Sequence, residues 1–178
     1  MATSVYAELH AWSNFSFLEG GSHPEELVRT GRGLGLAALA LTDRDGLYGA
    51  VRFAKAADEV GLPAICGAEL TLETPDAAPI RAGRPARATK DVPTDGPRLV
   101  LLAEDKRGYA NLTRLISTAQ LRGRKRDARL QLEDLDGHTD GLIALSGGYH
   151  GPIERALRQR DDAGARALSA HLRDVFAG

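Results

Sequence analysis

Histidine and carboxylate side chains follow or lie within short apolar segments of the chain. His10 follows residues 5–9, Asp43 follows residues 37–42, and Glu69 lies within residues 64–72. Neutral imidazoles and carboxylates are ligands for divalent metal ions, and a metal ion held by them can activate water for hydrolysis of a phosphate ester. A metal-dependent phosphoesterase is therefore one function that these residues could serve.

Each of these residues also has a structural interpretation. A histidine at a strand end is commonly a hydrogen-bonded structural residue. Asp43 and Asp45 flank a turn that ends at Gly46, where helix capping explains an aspartate as well as catalysis does. Trp12 is expected to pack in the core, because no second aromatic side chain and no basic stripe accompany it to form a surface for base stacking. Both interpretations stay open on the sequence alone.

The apolar segments alternate with segments of helical periodicity, which predicts βα units and a parallel sheet. The predicted strands cover residues 5–9, 37–42, 64–72, 99–103 and 142–145. The predicted helices cover residues 22–33, 47–60 and 109–120, with two more in 152–176. In parallel α/β folds the active site lies where strands end, so the histidine and the carboxylates are expected to converge there.

The composition is that of one globular domain. The chain has 178 residues, of which 43% are hydrophobic and 26% charged, enough for a substantial core. Lys and Arg number 23 against 24 Asp and Glu, a net charge of −1 that neither requires nor excludes a nucleic-acid partner. The single cysteine, Cys66, excludes an internal disulfide and fits a reducing compartment. Neither a signal-like start nor a membrane-length apolar run is found, so we expect a cytoplasmic protein without a membrane partner.

Basic side chains concentrate in two segments. The first is the proline-rich stretch at about residues 74–97, a predicted insertion loop that includes Arg81, Arg84, Arg87 and Lys90. The second is a candidate DNA contact, since such a patch can hold the phosphate backbone, although a charged run is more often a solvated face. Its members are Arg122, Arg124, Lys125, Arg126 and Arg129.

Two long phrases carry a family resemblance: SNFSFLEGGSHPEEL and ALALTDRDGLYGAVRFA. With the surrounding residues 6–70 and 99–148, they resemble the PHP (polymerase and histidinol phosphatase) domain at the amino terminus of bacterial C-family DNA polymerases, which are DNA polymerase III alpha-subunit-like. The phrases look most like the damage-induced, error-prone branch. The resemblance implies an α/β fold, a PHP-type distorted (βα) barrel that is TIM-like. Residues 1–178 are expected to be its amino-terminal portion, with about the first five βα units and further strands beyond Gly178.

The resemblance also implies a set of metal-ligand positions. In the first part of the chain, some of these positions no longer carry a metal ligand. The opening His-x-His signature of the family appears as His10 and Trp12. A ligand position a little further on is kept as Glu19. The Asp-His signature after the second strand appears as Asp43 and Arg44, and a guanidinium has no lone pair for a metal ion.

The second half of the set is also incomplete. Glu69 keeps the acidic position on the third strand, Arg98 stands where the family has a histidine before the fourth strand, and Gly148 stands where a cysteine is often found. A final Asp-x-His pair would lie beyond Gly178. The remnant ligand positions are thus His10, Glu19 and Glu69, and the lost ones are Trp12, Arg44, Arg98 and Gly148. We therefore expect neither a catalytic residue nor a bound metal in this segment; an active site would take zinc, manganese or magnesium. We hypothesise that Arg44 pairs with Glu69 or Glu19, and that Trp12 fills volume vacated by metal ions.

The implied function is a catalytically silent PHP domain that supports the core of an error-prone DNA polymerase, a DNA-directed nucleotidyltransferase of the SOS response and translesion synthesis. Its magnesium-dependent chemistry would belong to other domains. The implied partners are DNA through that polymerase, its remaining domains, the sliding clamp and mutagenesis accessory proteins. One alternative is a metal-dependent phosphoesterase or 3'-5' exonuclease with a reduced site of His10, Glu19, Asp43 and Glu69. Another is a DNA- or subunit-binding module that uses the basic segment at residues 122–129.

Overall fold

Alternating apolar and amphipathic segments fold into strands and helices close to the predicted positions. The computed structural model describes residues 6–73, 96–123 and 127–177. Their elements, in chain order, are β1 (Ala7–Ala11), α1 (Pro24–Gly33), β2 (Ala38–Leu41), α2 (Ala50–Val60), β3 (Ala64–Thr71), β4 (Arg98–Ala103), α3 (Lys106–Arg122), β5 (Leu142–Leu145), α4 (Pro152–Arg158) and α5 (Asp162–Phe176). Most of the predicted insertion loop, residues 74–95, lies outside the described residues.

The five strands form one curled sheet in the order β1-β2-β3-β4-β5, which confirms the α/β class and fits part of a distorted barrel. β1, β2 and β3 are parallel neighbours, but β4 runs antiparallel to both β3 and β5. The expectation of a parallel sheet throughout was therefore wrong for β4. Residues 99–102 are buried on both faces of the sheet, and a continuous apolar run looks the same in either strand direction.

Helices cover the sheet with two main apolar clusters. Leu112 and Leu115 of α3 pack on Leu70, Leu99 and Leu101 of β3 and β4, and all five side chains are buried. A second cluster joins α1 and α2 to β2. Its members are Val28, Leu39, Leu41, Phe53, Ala56, Ala57 and Leu62. Burial of these side chains fixes the strand ends, from which the polar residues project.

Local signals set the helix ends. α3 begins at Lys106, three residues before the predicted start, because the Asp105 carboxylate accepts a hydrogen bond from the Gly108 amide at 2.8 Å. α2 ends at Val60, and the next residue, Gly61, has a φ of 66°, the left-handed conformation typical of a glycine after a helix. Among the described helices, none is long and apolar enough to cross a membrane.

Candidate functional site

Remnant ligand positions and arginine side chains meet at one edge of the sheet. His10 on β1, Arg44 after β2 and Glu69 on β3 lie toward the carboxyl ends of three parallel strands. Arg98 is the first residue of β4 and pairs in register with Thr71, the last residue of β3. The antiparallel direction of β4 therefore brings its amino end, and Arg98 with it, to this edge.

The Arg98 guanidinium joins two of the remnant carboxylates. It lies in the interior, with only 1% of the residue exposed. Its Nη2 donates to Glu19 Oε1 at 2.6 Å, and its Nη1 donates to Glu19 Oε2 at 3.1 Å and to Glu69 Oε2 at 3.3 Å. Charge-assisted, bidentate pairs of this kind are the strong hydrogen bonds of proteins. One permanent cation thus pairs with both carboxylates at the point where the family resemblance implies metal ions.

Arg44 adds a second guanidinium to this group of side chains. We call the group the arginine cluster; its members are Glu19, Arg44, Glu69 and Arg98. Its Nη1 donates to Glu19 Oε1 at 3.2 Å, and its Nε donates to Thr71 Oγ1 at 3.4 Å and lies 3.5 Å from Asp45 Oδ2. The hypothesis that Arg44 pairs with Glu19 or Glu69 is confirmed for Glu19. The Glu69 side chain pairs with Arg98 instead.

The hydrogen-bond donors to the Asp43 carboxylate lie in the loop that carries Glu19 and not in the arginine cluster. Its buried carboxylate accepts hydrogen bonds from the Ser13 amide, the Ser13 hydroxyl and the Ser16 hydroxyl, each at 2.7 Å. The Ser16 hydroxyl oxygen in turn accepts a hydrogen bond from the Arg44 amide at 3.0 Å. These bonds hold the loop against the end of β2. The two serines were missed by sequence reasoning, although hydroxyl side chains three residues apart in SNFS are a usable signal.

Asp45 lies in the segment between β2 and α2. Its φ is 51°, a left-handed conformation that aspartate tolerates better than most residues. Its carboxylate accepts hydrogen bonds from the Thr71 amide at 2.7 Å and the Thr71 hydroxyl at 2.8 Å. Burial raises the pKa of Asp45, while the bonds from Thr71 and the nearby Arg44 oppose that rise. The Asp45 carbonyl accepts a bond from Gln120 Nε2 at 2.7 Å, which ties α3 to the site.

His10 and Trp12 line the other side of the Arg98 guanidinium. His10 Nε2 lies 3.5 Å from Glu69 Oε1, and the two rings of His10 and Trp12 meet edge to face with centroids 5.3 Å apart. The Arg98 Cζ atom lies 6.0 Å from the Trp12 ring centroid, within the range of a cation–π contact. Trp12 therefore packs against the arginine that bridges the carboxylates.

The residues at this edge do not fit a cluster of two or three metal ions. Within the described ranges, no three His, Cys, Asp or Glu side chains come together in a way that could hold a metal ion. The ligating atoms of Glu19 face two guanidiniums, and Asp43 is occupied by serine donors. Gly148 lies in the turn after β5 and has no side chain to offer.

Two arginines of the second basic segment, residues 122–129, form ion pairs within the chain. Arg122 forms a two-point pair with Asp134, of which the Nη2 to Oδ1 distance is 2.7 Å, and this pair lowers the pKa of Asp134. Arg129 Nη2 pairs with Asp127 Oδ2 at 2.8 Å. The other three members, residues 124–126, lie outside the described residues, as do the four basic residues of the insertion. DNA binding by this segment stays a prediction.

The comparisons with known proteins agree with the sequence resemblance. A family model described as the PHP domain matches residues 8–178. The chain is 44% identical over 174 residues to an error-prone DNA polymerase from Mycobacterium bovis, covering 97% of this chain and 15% of that protein. It is 44% identical over 182 residues to an error-prone DNA polymerase from Anaeromyxobacter sp., covering 97% and 14%. A solved amidohydrolase structure from Chromobacterium violaceum aligns with a TM-score of 0.47 and 20% identity, over 98% of this chain and 51% of that one. The chain thus spans about 15% of the length of the curated relatives it matches.

Proposed function

Because the chain belongs to the PHP domain family, we propose that it is a non-catalytic amino-terminal domain of an error-prone DNA polymerase, in which guanidinium groups replace metal ions. The observation that carries the proposal is the buried Arg98 guanidinium bonded to both Glu19 and Glu69. A side chain of fixed positive charge at this point repels a divalent cation and occupies the carboxylate oxygens that would bind it.

The arginine cluster gives the site a structural role. Glu19 comes from the loop after β1, Arg44 follows β2, Glu69 belongs to β3 and Arg98 begins β4. Their ion pairs therefore cross-link four segments of the chain at one edge of the sheet. We infer that the cluster stabilises this edge of the sheet.

The polymerase that we propose acts on DNA after damage, in translesion synthesis of the SOS response, and works in the cytoplasm. Its nucleotide transfer and the magnesium ions for that reaction would be supplied by domains other than this one. The sliding clamp and mutagenesis accessory proteins are the further partners that we propose. The proposal of an error-prone DNA polymerase that acts on DNA is supported by 44% identity to proteins of that name from two bacterial genera.

Metal analysis with a nuclease assay tests the non-catalytic role. The chain is loaded with zinc or manganese, passed over a desalting column and analysed by elemental mass spectrometry, and its hydrolysis of labelled DNA is followed. We expect neither retained metal nor hydrolysis above that of buffer. Stoichiometric metal, together with hydrolysis that is lost in Glu69→Ala and kept in the exposed control Glu59→Ala, would overturn the proposal.

The alternative of a reduced phosphoesterase or exonuclease site has one observation in its favour, the 3.5 Å approach of His10 Nε2 to Glu69 Oε1. That site would also need Glu19 to leave two arginines and Asp43 to leave its serine hydroxyls. Each change breaks charge-assisted hydrogen bonds in a buried or half-buried place, which is costly. The same metal and nuclease measurements decide between the two functions.

A further inference from the structure

Aspartate is followed directly by glycine at four places in the chain. Such a pair can rearrange without an enzyme, because glycine has no side chain to shield its main-chain nitrogen from the aspartate carboxyl group. In a folded protein the rearrangement requires that the carboxyl group and the next peptide unit are free to move. The four pairs are Asp45-Gly46, Asp95-Gly96, Asp136-Gly137 and Asp140-Gly141. Asp95 lies outside the described residues, so the other three pairs are compared.

Tertiary contacts hold the Asp45-Gly46 pair. The Asp45 carboxylate accepts hydrogen bonds from the Thr71 amide at 2.7 Å and from the Thr71 hydroxyl at 2.8 Å, and Gly46 is buried. The Asp45 carbonyl accepts a further bond from Gln120 Nε2 at 2.7 Å. The carboxyl group and the following peptide unit cannot turn toward each other until these bonds break.

The Asp140-Gly141 pair is also held, although it lies at the surface. The Asp140 carboxylate pairs with Arg107, and its carbonyl oxygen accepts a hydrogen bond from Asn111 Nδ2 at 2.9 Å. Gly141 packs against the start of α3, where an added Cβ would lie 2.7 Å from the Gly108 amide nitrogen. Exposure of the aspartate therefore does not free this pair to rearrange.

The fold leaves the Asp136-Gly137 pair open. Both residues are exposed, and a Cβ added at Gly137 would have no neighbouring atom within 4 Å. Within the described ranges, the Asp136 carboxylate makes neither a hydrogen bond nor an ion pair. Ring closure requires rotation about the Asp136 ψ, which is 121°, and the open surroundings of the turn permit that rotation.

We propose that Asp136 is a site of spontaneous isomerisation to isoaspartate. The Gly137 main-chain nitrogen attacks Cγ of the protonated Asp136 side chain, a C–N bond forms, and the nitrogen's proton leaves with the side-chain hydroxyl as water. Water then adds to the α-carbonyl carbon of the cyclic imide and breaks its bond to the nitrogen. The chain is now linked through the β-carbonyl, its mass is unchanged and a free α-carboxylate is exposed. That carboxylate is the group that protein-isoaspartate carboxyl methyltransferases accept.

Ageing of the folded and the unfolded chain tests the proposal. One sample is kept in neutral buffer and another in urea, and isoaspartate is located by peptide mass spectrometry with electron-transfer fragmentation. In urea the pairs at Asp45, Asp136 and Asp140 should isomerise at similar rates, because no tertiary contact holds them. In the folded chain the rate at Asp136 should stay within about threefold of its value in urea, whereas the rates at Asp45 and Asp140 should fall by about tenfold or more.

Two matched variants check the position of the modified residue. Asp136→Glu keeps the charge but would have to close a larger ring, so the site should stay unmodified. Asp140→Glu makes the same change at the neighbouring pair and should leave the rate at Asp136 unaltered. After ageing, a purified isoaspartate methyltransferase with S-adenosylmethionine should add a methyl group at Asp136 in the unchanged protein and in Asp140→Glu.

Three results would overturn the inference. They are isomerisation of Asp45 or Asp140 in the folded chain as fast as that of Asp136, slowing of Asp136 as strong as theirs, and absence of isoaspartate at Asp136 in the folded chain. Circular dichroism before ageing checks that each variant is folded. The proposed non-catalytic role does not depend on any of these results.

Discussion

Replacing Arg98 by methionine removes the cation that Glu19 and Glu69 share. The Arg98 side chain is 2% exposed and the Glu69 side chain is fully buried. The variant therefore leaves a carboxylate in the interior, with the His10 imidazole 3.5 Å from it. Removal of one partner of a buried ion pair costs about 3–5 kcal/mol in the free energy of unfolding. A domain of this kind has about 5–15 kcal/mol in total, so the loss is large enough to lower the urea midpoint substantially.

Urea unfolding followed by far-ultraviolet circular dichroism measures this loss. The control is Arg52→Met, because Arg52 also makes a two-point pair, with Glu25, but its side chain is 49% exposed. Solvent screens that pair, so its removal should shift the midpoint far less.

A double variant keeps the Arg98 prediction measurable if the single variant does not fold. Arg98→Met combined with Glu69→Gln removes the buried negative charge together with its cation, so the double variant should be less destabilised than the sum of the two single changes by about 1 kcal/mol or more. The reasoning is refuted if Arg98→Met costs no more than Arg52→Met, or if the two changes at Arg98 and Glu69 are additive.

Three further predictions concern other buried or paired groups. Asp43→Ala should lower the free energy of unfolding by about 3 kcal/mol, because three donors lose their acceptor, and Asp43→Asn should cost less; urea unfolding measures both. Burial raises the pKa of the Cys66 thiol to about 11, so the folded chain should react with DTNB roughly a hundredfold more slowly than the urea-unfolded chain. Arg122 lowers the pKa of Asp134, whose contribution to stability is therefore present above the usual aspartate pKa and lost as the pH falls through the lowered value. Asp134→Asn should thus be less stable than the unchanged protein at neutral pH, and this gap should close in acid unfolding scans.

The sequence predicted the family, the α/β class and the positions of the strands, because long phrases and apolar periodicity are properties of the chain read in order. It also predicted that Trp12 and Arg44 stand at lost ligand positions, and that Arg44 would pair with one of two glutamates. Such predictions need only the residue type and its place in a motif. Arg98 stands where the family has a histidine, which indicated a lost ligand. The sequence did not indicate which carboxylates Arg98 would pair with.

Tertiary structure alone decided the partners. Arg98 and Glu19 are 79 residues apart in the chain, and they meet because β4 runs antiparallel to β3 and brings its first residue to the carboxyl edge of the sheet. The turn after β5 likewise depends on tertiary packing, because a Cβ at Gly147 would lie 2.2 Å from the Arg98 carbonyl oxygen of β4. Strand direction is set by packing and by pairing between distant segments, and an apolar run buried on both faces carries no mark of it. The side chains that a strand end brings together are therefore fixed only when the sheet has formed.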